Sequence, residues 1–207
     1  MEQDRILEEI DRRRAELRRL EEQVEPSAAA SDWRHEGFYT AYYVLAGMLL
    51  GTLGACAALV FNIVGSLLVS QDPLKLIRVY ATYLGGERAL DAVGGTELAL
   101  NTLLFLATGA GFGAAIHVVL SRYRPAAPTG RRIVMGSALG LVLWVVNFYG
   151  LISWTQPLIS GRGLILELIP VWVAALTHLV FGATVALLQP WGVFTPPAAR
   201  APGGRAG

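Results

Sequence analysis

The side chains in this sequence that could do chemistry are few, and they stand among apolar neighbours: Asn62, Thr108, Asn147, Thr177 and His178, with His117 as a second imidazole. A polar group inside hydrocarbon costs free energy unless it is partnered, so these positions are where binding or transfer would occur. The amides and hydroxyls either bond between helices, at about 0.6 kcal/mol per contact on average, or line a small polar site. His178 admits three roles: a proton relay, a haem or copper ligand, or a neutral imidazole bonded to Asn147. No Asp or Glu falls in the apolar stretches, no second His sits at ligand spacing on the same helix, and Cys56 is the only cysteine. No metal site, cofactor or disulfide framework is therefore expected, and Cys56 reads as a small packing residue. Phosphate-binding loops, zinc-binding His pairs and nucleophile elbows are absent, which argues against an enzyme. Gly109, Gly111 and Gly113 mimic a glycine-rich loop, but no strand precedes them.

The elements that must position these groups are long and uncharged. No charged side chain occurs from Tyr42 to Val69, Leu98 to Ile116, Ile133 to Ser160 or Leu168 to Gln189. Each run is long enough to cross a hydrocarbon core of roughly 30 Å, which takes about 20 helical residues. The expected fold class is an all-α membrane protein with four transmembrane helices at about 42–69, 98–120, 133–155 and 166–189, forming a bundle over 38–190. Asp72 and Pro73 start a short amphipathic helix over 73–84, with Leu74, Ile77, Ala81 and Leu84 on one face and Gly85 and Gly86 ending it. It either lies on the outer membrane surface or covers an opening between spans.

The runs repeat. At one constant offset Gly51 aligns with Gly136, Ala55 with Gly140, Asn62 with Asn147, Gly65 with Gly150 and Gln71 with Gln156. At a second, Thr108 aligns with Thr177, Phe112 with Phe181, Gly113 with Gly182 and Ala114 with Ala183. The pattern predicts a parallel tandem repeat of two helical hairpins about an axis along the membrane normal. The two Asn side chains then face each other or the Thr residues across that axis. The same register sets His117 more than two helical turns nearer the cytoplasm than His178, whereas two axial ligands of one haem need similar depth. Gly47 and Gly51, Gly109 and Gly113, and Gly136 and Gly140 allow close helix packing, within the bundle or between two copies.

Residues 1–25 have another character. Ile6, Ile10, Leu17, Leu20 and Val24 follow spacings of four and three, with Arg13 filling the missing seam position. This predicts a cytoplasmic amphipathic helix with a coiled-coil seam, able to bind a cytoplasmic partner or itself. Residues 26–37 read as a linker, Trp33, Phe38, Tyr39, Tyr42 and Tyr43 as an interfacial belt, and 191–207 as a disordered tail. The first residues are charged and lack the apolar core of a secretory signal. Met1 to Glu36 hold eleven acidic and seven basic residues and the rest five and ten, a balance that gives no reason to expect nucleic-acid binding. Arg122, Arg124, Arg131 and Arg132 crowd one short loop without an acid, which predicts that loop, and with it both termini, on the cytoplasmic side of a bacterial inner membrane.

The segment Trp144 to Leu188, with Asn147-Phe148-Tyr149, Gln156-Pro157 and Thr177-His178 through Phe181-Gly182, resembles bacterial four-helix inner-membrane proteins of the YagU-like kind. The resemblance implies a membrane location and brings no reaction or site residue with it. The expected function is a non-catalytic accessory subunit or assembly factor, in contact with the lipid bilayer and a membrane-protein partner. The alternative is a small homodimeric transporter or channel lined by Asn62, Asn147 and His178, and a haem-binding redox protein comes last.

Overall fold

The structure, a computed structural model, describes residues 2–29, 32–91, 94–123 and 127–194. The tail beyond residue 194 and the side chains of Ile6, Val24, Trp33 and Phe38 lie outside the described residues. The chain divides into two compact units, Met1–Ala41 and Tyr42–Gly207.

In the first unit α1 runs from Glu2 to Ala29. Its charges pair along the helix: Arg13 Nε reaches Glu9 Oε1 at 3.2 Å and Arg13 Nη1 reaches Glu16 Oε2 at 3.6 Å. All three side chains are more than half exposed, so each pair contributes only a few tenths of a kcal/mol. The helix extends past Pro26, where a linker was expected. Proline's fixed φ is itself helical, so the chain passes through it with the loss of one backbone bond.

The second unit takes α2 (Asp32–Leu68) from Tyr42 onward, then α3 (Lys75–Gly85), a 3-10 turn (Gly86–Asp91), α4 (Gly95–Tyr123), α5 (Thr129–Val145), a π-helical turn (Val146–Ile152), α6 (Ser153–Ser160), α7 (Leu164–Leu168), α8 (Val171–Leu188) and a 3-10 turn (Gln189–Gly192). No strand occurs among the described residues. Four helical stretches are long and apolar enough to cross a membrane: Tyr39–Leu68, Gly95–Tyr123, Thr129–Ser160 and Val171–Gly192. The shortest has 22 residues, about 33 Å at 1.5 Å per residue. The protein is a multi-pass integral membrane protein. Its fourth span starts at Val171, after the predicted 166, because Ile169 takes the extended backbone favoured before a proline and Pro170 sets the N-cap.

Helices in lipid gain nothing from burying one apolar surface against another, so close van der Waals contact must hold them. Glycine supplies it. A Cβ on Gly113 would lie 2.1 Å from Gly51 Cα, and one on Gly182 would lie 2.1 Å from the Gly136 carbonyl oxygen. The glycines of α2 and α4 thus mesh with each other, and those of α5 and α8 do the same. These stripes are consumed inside the bundle. Leu50, Ile116, Leu120, Phe181 and Val185 complete the core around them. Cys56 is exposed, correcting its reading as a packing residue.

Asp72 accepts a bond from the Leu74 amide at 3.0 Å and pairs with Arg78 at 2.7 Å, which fixes the start of α3. Ile77, Val79, Ala81 and Thr82 are then buried, with α3 packed on α4, α6 and α7. The helix covers the end of the bundle. Leu84, expected on the buried face, is exposed, and Gly86 at φ +61° ends the helix in the left-handed region.

Candidate functional site

Beneath α3 and α7 the spans leave a cavity of about 70 Å³. Four of the five polar residues singled out from the sequence line it: Thr108, Asn147, Thr177 and His178. Asn62 stands behind Thr177 and bonds it. Tyr80 of α3 adds a phenol, the remaining wall is apolar, including Phe105, Phe112, Phe148 and Phe181, and no charged side chain takes part.

Most of these polar groups have partners that account for their protons. Asn62 Nδ2 donates to Thr177 Oγ1 at 2.9 Å and to the Ala58 carbonyl at 2.7 Å. Thr177 Oγ1 donates to the Val173 carbonyl at 2.7 Å, with Asn62 Oδ1 a more distant acceptor at 3.3 Å, so its proton is used in either case. Asn62 thus faces a Thr of the other hairpin, one of the two arrangements expected. Thr108 Oγ1 donates to the Leu104 carbonyl at 3.0 Å, so the proton in its contact with Tyr80, at 2.5 Å, comes from the phenol. Burial raises the Tyr80 phenol above its ordinary 10.0, against the lowering by Thr108, and the group stays protonated.

His178 does not bond Asn147, one of the three roles open to it from the sequence. Its Nδ1 lies 2.8 Å from the Ala174 carbonyl, which can only accept, so Nδ1 carries the proton. Nε2 has no partner among the described residues. Phe112 and Phe148 stand against the ring, with centroids 6.5 and 5.9 Å away. The side chain of Asn147 likewise bonds no protein group among the described residues. It sits in the π-helical turn Val146–Ile152, a wider winding common where function interrupts a helix. Ser153, Trp154 and Thr155 donate back to the carbonyls of Tyr149, Gly150 and Leu151 at 2.7, 2.7 and 2.8 Å. These bonds satisfy the backbone that the irregular winding frees.

The roof is fastened by Gln156, which is fully buried. Its Nε2 donates to Thr82 Oγ1 of α3 at 3.0 Å, and its Oε1 accepts from the Ile165 amide of α7 at 3.0 Å. Tyr83 OH adds a bond to Thr155 Oγ1 at 3.1 Å. Tyr80, Thr82 and Gln156 were not among the expected site residues. The signal for Tyr80 was a hydroxyl-bearing aromatic one residue before Ala81, on an otherwise apolar stripe.

His117 belongs elsewhere. It is fully buried, its Nε2 lies 3.2 Å from the Gly192 carbonyl, and its ring lies against Tyr43 at 5.7 Å. Gln189 bonds Ser121 close by. The two histidines therefore serve separate places, and no group of three or more His, Cys, Asp or Glu able to hold a metal occurs among the described residues. On α1, Ile10, Leu17 and Leu20 of the predicted partner seam are exposed. In comparisons with known proteins, the chain matches no family model, no curated protein and no solved structure.

Proposed function

We propose that this integral membrane protein is non-catalytic and holds a small uncharged molecule in the cavity between its hairpins, as a carrier or binding subunit does. The observation that supports the reading is the convergence of Thr108, Asn147, Thr177 and His178 on one apolar cavity. An apolar pocket with a few convergent polar groups is the usual form of a small-molecule site. The absence of charged side chains from its wall fits a neutral occupant rather than an ion. Native mass spectrometry after gentle extraction tests this, comparing the natural chain with Ala174→Leu, which places extra side chain in the cavity wall. A small molecule carried by the natural chain and missing from the variant is expected. Equal retention, or no bound molecule in either, sinks the reading.

The parallel tandem repeat belongs to the same proposal. Its support is that equivalent positions meet equivalent positions: Gly51 with Gly113 as Gly136 with Gly182, and Ala55 with Gly109 as Gly140 with His178. The arginine-bearing loop between α4 and α5 favours both termini in the cytoplasm of a bacterial cell, with α3 and the cavity in the outer half.

A second reading, an accessory subunit or assembly factor, rests on α1. Ile10, Leu17 and Leu20 are 41%, 59% and 53% exposed, an apolar seam that a partner helix would cover. Deleting Met1 to Val24 should leave membrane insertion intact and remove a co-purifying subunit; unchanged co-purification would count against this role.

A further inference from the structure

We infer that the occupant of the cavity is a neutral molecule that donates a hydrogen bond, a hydroxyl group on a short apolar body. This rests on the reading of the cavity as a binding site and follows from counting protons around it. The hydroxyl protons of Thr108 and Thr177 go to the Leu104 and Val173 carbonyls. The Tyr80 proton goes to Thr108, and both amide protons of Asn62 are used. The His178 Nδ1 proton goes to Ala174. Among the side chains that line the cavity, only Asn147 keeps donors to offer, whereas His178 Nε2 and Asn147 Oδ1 are both acceptors without partners.

Asn147 can both give and accept, whereas no donor among the described residues reaches His178 Nε2, and that selects for a ligand that brings a proton. A hydroxyl meets both needs at once, giving its proton to His178 Nε2 or Asn147 Oδ1 and accepting from Asn147 Nδ2. An ether or ketone leaves the imidazole nitrogen unpaired in an apolar wall, which is costly. A carboxylate or phosphate meets no cation there, and an ammonium meets no anion. Size narrows the class further: about 70 Å³ is half the roughly 150 Å³ apolar cavity that takes benzene, so it holds the hydroxyl end and a few carbons.

The experiment uses the full chain in lipid vesicles with three photoactivatable probes built on one short body that the cavity can take: a diazirine-bearing butanol, its methyl ether and the matching butanoic acid at neutral pH. Labelling at cavity residues such as Phe148 and Ile165 is divided by labelling at the lipid-exposed Leu68, which cancels differences in membrane partition. The alcohol should label the cavity at least about fivefold more than either other probe, the ratio that corresponds to one net hydrogen bond of about 1 kcal/mol. Asn147→Leu and His178→Phe should each abolish that preference. Equal labelling by alcohol and ether overturns the hydroxyl requirement while the site itself stands. No cavity labelling by any probe overturns the site as well. Because the probe comparison is made on the natural chain, a variant that fails to insert does not spare the inference.

Discussion

Two glycines two residues apart on α4 should respond to the same substitution with opposite sign. Gly113 is buried against α2: a Cβ there would sit 2.1 Å from Gly51 Cα and 2.6 Å from the Gly47 carbonyl oxygen. Ordinary contact begins at 3.4 Å, so Gly113→Ala forces α2 and α4 apart by about 1.3 Å, the difference between those distances. A gap of about 1 Å already forfeits up to half of a dispersion contact, and the whole seam from Gly47 to Ala55 shares the displacement. Overpacking of this kind costs roughly 1–3 kcal/mol. Gly111 is exposed and has no atom within 4 Å of its would-be Cβ, so Gly111→Ala costs no packing and gains up to about 1 kcal/mol of helix propensity. The two variants should therefore differ by roughly 2–4 kcal/mol, read as the shift in the reversible unfolding midpoint in mixed detergent micelles. Equal shifts, or a neutral Gly113→Ala, would show that α2 and α4 do not meet at this crossing.

Two further outcomes follow from single bonds. Gln156→Leu leaves the Ile165 amide without its buried acceptor, a loss of roughly 1–3 kcal/mol, so hydrogen exchange at Ile165 should rise about five- to 150-fold while α5 and α8 keep their protection; unchanged exchange removes Gln156 as the fastener of the roof. In a double-mutant cycle of Asn62→Leu and Thr177→Val, the coupling should be about 0.6 kcal/mol and below about 1.7, the range found for hydrogen bonds between membrane helices; additive effects mean that the pair does not interact.

The elements that were legible in the sequence were those set by composition over many residues. A run of about 20 uncharged residues has no stable alternative in lipid but a helix, so the four spans follow from length alone. The polar site was partly legible for a related reason: Asn62, Thr108, Asn147, Thr177 and His178 are conspicuous because hydrocarbon tolerates few such groups. Their bonds were not legible. Whether His178 gives its proton to Asn147 or to the carbonyl one turn back depends on a rotamer, and the answer was Ala174. The π-helical turn at Val146–Ile152 leaves no mark in the apolar pattern, since it changes the winding and not the composition. Tyr80 and Thr82 were hidden by their setting on a short amphipathic helix, where periodicity shows a face but not what covers it.

Under the proposed duplication, the asymmetry between the hairpins accounts for the proposed site. Asn62 meets Thr177, so the equivalent pair is Asn147 with Thr108. That pair is not made, because α3, inserted in the first hairpin alone, brings Tyr80 to Thr108 and takes its place. The third apolar stretch meanwhile winds into a π-helical turn at Asn147. One half of the repeat thereby spends its polar groups on holding helices together, at the modest energy such bonds carry in lipid. The other half keeps an amide and an imidazole nitrogen unspent beside a cavity. An unpaired polar group in an apolar wall is costly to the fold, and a ligand that supplies the missing partner recovers that cost on binding. Restoring symmetry should therefore close the site: Tyr80→Phe frees Thr108 to accept from Asn147, which should reduce binding in the cavity and leave the glycine-packed bundle unaltered.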